Sequence, residues 1–291
     1  MNTIERHIAE IEDGPVRLQE YAVGIFSKAY TKSALKKAIK QKLVFVNGKI
    51  ASTAVFIKGG ELIELRQPAE NKKDTRLKLK LEVIYEDDYL AIINKPAGIL
   101  VSGNGFKTVA NALEQNLKQS TVADVVDPQP VHRLDYATTG LLLVGKTSST
   151  IVSLNKLFEE KHIHKTYFAV TIGRMNSNGT IEFPIDNKKA ISVYHVIESI
   201  PSERFGCLNL VRLTPFTGRR HQLRKHLLYI GNPILGDATY YLEGLLLKGK
   251  GMFLHAQSLE FTHPISGNVL HIRSELPKRF EKLFPRYDFY N

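Results

Sequence analysis

The chain has 291 residues, 43% of them hydrophobic and 24% charged, a composition that belongs to a folded globular protein and excludes a disordered, collagenous or fibrous chain. Forty Lys and Arg against 29 Asp and Glu leave a formal charge of +11, a surplus that favours a polyanionic partner. The single cysteine, Cys207, excludes an internal disulfide and any cysteine-rich metal site, which fits a reducing cytoplasm. No stretch approaches the roughly 18 consecutive apolar residues of a membrane span, and MNTIERHIAEIEDG carries acids where a secretory signal needs an apolar run, so no membrane attachment is expected.

The basic surplus is concentrated early. Between Glu20 and Glu61 there is no acidic residue, yet eight lysines occur there, among them Lys36, Lys37 and Lys40. The spacing predicts a helix over residues 34–42 capped by Ser33, with Leu35, Ala38, Ile39 and Leu43 on the packed face and Lys36, Lys37 and Lys40 turned to solvent or phosphate. Strands are predicted over 43–46, 55–57 and 62–65, with Asn47-Gly48 as a tight turn. A short basic helix followed by VFVNGK and GGELIEL resembles the S-four-type RNA-binding module, named after a small-subunit ribosomal protein. The resemblance implies a small N-terminal α/β module over residues 1–66 whose Lys36, Lys37 and Lys40 bind RNA.

Residues 67–80, QPAENKKDTRLKLK, are polar and charged and read as a linker, after which residues 81–291 form the second unit. Short β-like runs at 90–93, 141–144, 166–172 and 208–213 outnumber helices near 108–118, 149–161 and 221–229, which gives an α+β fold. The chain lacks a phosphate loop and a dinucleotide fingerprint, so no cofactor is expected. His162 and His164 on a predicted strand, and His221 and His226 without HExxH spacing, suggest no metal site.

Three features could carry chemistry. In VHRLDYATTG, leading into the apolar run LLLV, Asp135 is the only carboxylate of a loop that enters a buried strand. On the helix beginning at His221, Arg224 falls between Leu227 and Leu228 inside the apolar arc, so it needs a buried carboxylate, for which Asp135 is a candidate. The strand 165–172 alternates, with Phe168, Val170 and Ile172 on one side and Lys165, Tyr167, Ala169 and Thr171 on a more polar one, where the Tyr167 ring can stack on a base. Arg212, Arg219, Arg220, Arg224 and Lys225 lie in a stretch without acids, a second phosphate-binding surface.

IYEDDYLAIINKPAG, HRLDYATTGLLLV, KTYFAVTIG, TGRRHQLRKHLLYIGNPILGD and FLHAQSLEFTHPISG, in this order, resemble the RluA-like family of pseudouridine synthases from about Leu81 to Pro277. The resemblance implies a synthase domain with a mixed, mainly antiparallel sheet flanked by helices and loops. It implies an isomerase that converts uridine to pseudouridine in RNA, ribosomal RNA of the large subunit first and transfer RNA second, without cofactor. By the same likeness Asp135 is the catalytic carboxylate, Arg224 its ion-pair partner and Tyr167 the ring under the target base. Arg133 fills the space of the flipped nucleotide, Leu254 forms part of an apolar floor, and Arg219 and Lys165 contact substrate. The chain departs from the family pattern at Tyr136-Ala137, Arg220, Ser102-Gly103 and Asn232. The competing expectations are a non-catalytic ribosome-assembly factor on the same fold and a glycosidase, which usually needs paired carboxylates where this loop has one. A cytoplasmic monomer is expected.

Overall fold

The structure is a computed structural model and describes residues 2–10, 14–67 and 76–287. The N-terminal module comprises β1 (Asn2–Ile8), β2 (Val16–Arg17), the single turn α1 (Leu18–Tyr21), a 3-10 turn at Ser27–Ala29, α2 (Lys32–Lys40), β3 (Val44–Val46), β4 (Lys49–Ile50), β5 (Phe56–Ile57) and β6 (Leu62–Gln67). Four strands pair in the order β1-β6-β3-β4, and β2 pairs with β5. Helix α2 starts earlier than the spacing suggested. Thr31, not Ser33, is its cap, accepting a hydrogen bond from the Ala34 amide at 3.1 Å, and the chain leaves the helix before Lys42, whose φ is +61°. Leu35, Ala38 and Ile39 enter a core with Leu18, Phe26, Val44, Ile57 and Ile63, while Lys36, Lys37 and Lys40 stay exposed. Asn47 and Gly48 both take positive φ, as a two-residue hairpin turn requires. Strand β1 had no counterpart in the sequence reading.

Most of the predicted linker, residues 68–75, lies outside the described residues. Leu77 and Leu79, within the same stretch, pack on the core of the second unit, and the Asn116 amide donates to the Leu79 carbonyl at 2.7 Å.

The second unit continues with β7 (Glu82–Glu86), β8 (Leu90–Lys95), α3 (Ala110–Leu113), β9 (Val125–Pro130), β10 (Thr139–Thr147), α4 (Ser148–Glu159), β11 (His164–Ile172), β12 (Asn178–Ile181), β13 (Ser192–Ser202), β14 (Gly206–Pro215), α5 (Gln222–Tyr229), β15 (Leu254–Thr262), β16 (Val269–Arg273) and α6 (Lys278–Leu283). The helix predicted near 108–118 shrinks to the single turn α3. His162 falls in the turn after α4, and only His164 lies on a strand.

Ten strands form one sheet, in the order β12-β13-β14-β11-β15-β10-β8-β7 with β9 beside β10 and β16 beside β15. The fold is α+β and the sheet is antiparallel except where β10 meets β15. Apolar residues cover both faces. On β10, Leu142 and Val144 join one core while Leu141 and Leu143 join another, which is why the strand reads as a continuous apolar run. The same holds for β11. Its supposedly polar side is buried: Ala169 and Thr171 are fully covered, and Ala169 packs in a core with Val211, Leu223 and Leu254.

The parallel contact is limited to Thr139 opposite His255 and Gly140 opposite Ala256. Beyond it the strands part, β10 towards β8 and β9, β15 towards β11 and β16. The loop before β10 and the first residues of β15 therefore meet at a fork. Gly140 permits this: its φ is +111°, and a Cβ there would collide with the Ala256 backbone. Replacing Gly140 by Ala is expected to lower unfolding stability by at least about 2 kcal/mol, read from urea denaturation, because the side chain adds a backbone clash to an unfavourable φ.

Candidate active site

A cavity of about 790 Å³ opens at this fork, within the range of small-ligand sites. Asp135, Arg133, Tyr167, Lys165, Arg219, Arg224 and Leu254 all line it, so residues from four sequence segments converge in one place. Lys36, Lys37 and Lys40 belong to the other module and do not line it.

Asp135 sits on the loop between β9 and β10, its side chain 17% exposed. The loop is tied at several points. The Thr138 amide donates to the Asp135 carbonyl at 3.1 Å and the Gly98 amide to the Tyr136 carbonyl at 2.8 Å. Beneath it lies Lys95, fully buried at the end of β8, whose ammonium donates to the carbonyls of Pro96 (2.8 Å), Thr138 (2.9 Å) and Tyr136 (3.4 Å). Burial pushes the Lys95 ammonium down to about 8, against the opposing pull of the Asp135 carboxylate. At the entrance to β10, Thr139 meets His255 Nδ1 at 2.7 Å, and His255 Nε2 meets the Ser274 hydroxyl at 2.8 Å. Upstream, His132 accepts from the Leu143 amide at 2.9 Å, and burial together with Lys165 pushes its imidazole down to about 3, so it stays neutral.

Arg224 projects from α5 and is 6% exposed. Its Nη1 lies 3.3 Å from Asp135 Oδ2. Its shorter bonds go elsewhere: Nε to Asp237 Oδ2 at 2.6 Å and Nη2 to Asp237 Oδ1 at 2.8 Å, a bidentate fork. Asp237 is buried and also accepts the amides of Thr239 (2.8 Å) and Tyr240 (3.0 Å), so its charge is fully met. The Tyr240 ring lies 4.9 Å from the guanidinium carbon, and its hydroxyl lies 3.0 Å from His221 Nδ1. When Tyr240 donates that bond, His221 Nε2 carries its proton towards Asp135 Oδ1, 3.7 Å away. Burial lowers the His221 pKa more than Asp135 raises it.

The sequence argument expected Arg224 to need a buried partner, but named only one of its two carboxylates. Asp237 lies inside the NPILGD segment, yet nothing in its spacing marks it, because a turn brings it back to α5. Lys95 was missed for a similar reason: at the end of an apolar run, a lysine reads as a solvated strand terminus. His221, which takes φ +56° immediately before α5, was set aside as a metal ligand and instead faces Asp135.

Tyr167 stands across the cavity, where burial and the Asp135 carboxylate push its phenol well above the ordinary range. Lys165 follows the same wall after a register shift between Thr166 and Tyr167, its ammonium 5.6 Å from the Phe158 ring and its pKa lowered by burial. Leu254 supplies an apolar surface, 3% exposed. Arg133, Arg219 and Arg220 remain exposed at the mouth, and Arg219 Nε donates to the Lys189 carbonyl at 3.1 Å. Arg212 and Lys225 do not line the cavity, and Lys225 pairs with Asp186 at 3.4 Å. Asn232, one of the departures from the family pattern, braces the backbone carbonyls of Ile172 and Arg174, each at 3.0 Å. Among the described residues, no three His, Cys, Asp or Glu side chains are grouped as metal ligands.

The family described as RNA pseudouridylate synthase matches residues 89–229. The ribosomal large subunit pseudouridine synthase C of Rickettsia felis is 33% identical, with 92% of this chain and 95% of that protein aligned. The ribosomal large subunit pseudouridine synthase D of Nitrosomonas europaea is 32% identical over 95% of this chain and 85% of its own length. Among solved structures, human RNA pseudouridylate synthase domain containing 4 shares the fold, with a TM-score of 0.56 and 24% identity over 68% of this chain and 90% of that one. The chain belongs to the RNA pseudouridylate synthase family, in its RluA-like branch, and is an isomerase that acts on RNA.

Proposed function

We propose that the chain converts a uridine of large-subunit ribosomal RNA to pseudouridine, with Asp135 as its catalytic carboxylate. The observation that carries this reading is a single carboxylate held by an arginine against the inside of a cavity of nucleotide scale, at the fork of a rigid sheet. The names of the relatives from Rickettsia felis and Nitrosomonas europaea support the ribosomal target.

The reaction breaks the bond between the sugar C1′ and uracil N1 and forms one between C1′ and C5, with the C5 proton released to solvent and a proton taken up at N1. No electron enters or leaves, so the residues must supply covalent catalysis, orientation and enclosure. The uridine leaves its stack at a cost of a few kcal/mol, offset by phosphate contacts at the basic mouth and by stacking inside. Tyr167 lies against the extruded pyrimidine with Leu254 beside it, Arg133 fills the space the nucleotide leaves, Lys165 and Arg219 contact the substrate, and Asp135 is the covalent catalyst. Arg224 fixes the direction of the carboxylate, and Asp237 fixes Arg224. Lys95 acts one layer below, as a positioning residue that holds the Tyr136 and Thr138 carbonyls that follow Asp135 in its loop. Exposed Lys36, Lys37 and Lys40 hold RNA outside the pocket, and Lys32, paired with Glu20 at 2.7 Å, is less available. The enzyme works as a monomer, in the cytoplasm where ribosomal RNA is made.

Three outcomes test this reading. Asp135→Asn keeps the volume but removes the carboxylate, and should reduce tritium release from RNA labelled at uracil C5 by at least about 1,000-fold; full release would refute the assignment. Mapping of pseudouridines in cells lacking the protein should show a loss in large-subunit ribosomal RNA, and a loss confined to transfer RNA would overturn the target. Replacing Lys36, Lys37 and Lys40 by Ala should weaken RNA binding and reduce the salt slope by about 2.

A fourth outcome concerns pH. Lys95 loses its proton in the folded protein at about pH 8 but in the unfolded chain near its ordinary value of 10.5. Between those values the unfolded state binds more protons, so this group makes stability rise with pH while the loop loses its charged donor. The saturating rate should therefore fall on the alkaline side with a midpoint near pH 8. Lys95→Met should lower the rate about tenfold or more and abolish that limb.

A further inference from the structure

The outer lip of the cavity carries a ring that the foregoing reading does not use. Phe216 is 55% exposed, yet it lines the same cavity as Asp135. Among the described residues, no aromatic ring or cation contacts it.

Its backbone is held firmly. The Phe216 amide donates to the Ile191 carbonyl at 3.0 Å, and the Ile191 amide donates to the next side chain, Thr217, at 3.0 Å. Gln222, 4% exposed at the start of α5, then locks the loop from inside. Its amide oxygen accepts from the Thr217 hydroxyl at 2.6 Å and from the Arg219 amide at 3.0 Å, while its amide nitrogen donates to the Ile191 carbonyl and the Ser192 hydroxyl, both at 2.9 Å. A large apolar ring on a loop tied at Phe216, Thr217 and Arg219 therefore leaves more than half of its surface in water. Such a ring is pre-organised for a partner that arrives from outside.

Charge identifies the chemistry of that partner. Exposed Arg133, Lys161, Arg219 and Arg220 line the same opening, with Glu159 as the one acid among the lining residues other than Asp135. A basic groove with a projecting aromatic ring is the general arrangement for single-stranded nucleic acid, in which cations follow the phosphates and rings receive bases. Tyr167 lies deeper, half-buried against the catalytic carboxylate. The two rings thus occupy two depths of one cavity.

We propose that Phe216 stacks on an unpaired base next to the target uridine, so that the RNA is gripped by two bases, one extruded onto Tyr167 and one held at the lip on Phe216. This inference rests on the RNA-directed reading of the same site. Phe216 is a binding residue and takes no part in the chemistry.

The test uses the full chain and bulk RNA prepared from cells lacking this protein and labelled with tritium at uracil C5. Phe216→Ala should raise KM about tenfold while the saturating rate falls less than about twofold, the size of one lost base stack. Phe216→Trp, which keeps an aromatic face, should restore KM, whereas Phe216→Leu, which keeps apolar area without that face, should resemble Ala. An unchanged KM in Phe216→Ala, or full rescue by Leu, overturns the proposal. Asp135→Asn run in parallel separates the two readings: its loss of activity upholds the catalytic site whatever Phe216 does, and its retention refutes the catalytic assignment alone.

Discussion

The site depends on one buried guanidinium shared between two carboxylates. Arg224 could not lie 6% exposed among leucines without its charge being met. Asp237 meets that charge with two short, parallel bonds and is itself satisfied by two backbone amides. The pair is therefore complete without Asp135. The remaining nitrogen, Nη1, reaches Asp135 at 3.3 Å. Had Asp135 been the only partner, any covalent use of its carboxylate would have left a buried arginine uncompensated; with Asp237 in place, the oxygen atoms of Asp135 can change partners while Arg224 stays where it is.

The same division appears below the loop. Lys95 holds three carbonyls around Asp135 and makes no bond to the carboxylate itself. Thr139, His255 and Ser274 form a second tie where β10 and β15 run parallel. The loop is thus fixed through its backbone, leaving the side chain to Arg224 and His221 on one side and to the cavity on the other. This is the physical sense of a site on a loop between rigid strands: the scaffold positions it without consuming the functional group.

What the sequence disclosed follows from how far each signal reaches. Asp135 stood out because a lone acid preceded an apolar run, and Arg224 because a helical wheel placed it among leucines; both are local patterns. Asp237, Lys95 and Gln222 act across 13, more than 40 and about 30 residues, through turns and strand pairings that no periodicity encodes. The alternation of β11 was read correctly as two faces, but calling one polar failed, since small residues such as Ala169 and Thr171 are neutral in pattern and are buried by whatever packs on them. Helix α2 shows a smaller form of the same limit: Thr31 and Ser33 are equal candidates by residue type, and only the backbone path decides between them.

The two modules use their positive charge differently, and burial explains why. On α2 Lys36, Lys37 and Lys40 lie on an exposed face over a small apolar core, where an ammonium group is a strongly hydrated point charge. Around the cavity, charge is graded by depth. Arg133 and Arg220 are exposed, Lys165 is mostly covered and shifted by burial, and Arg224 and Lys95 are buried and bonded to protein oxygens. Along that gradient, cations change from groups that attract an RNA strand to groups that hold protein atoms in place. A uridine entering this gradient leaves a region where affinity depends on salt and reaches one where position depends on hydrogen-bond geometry.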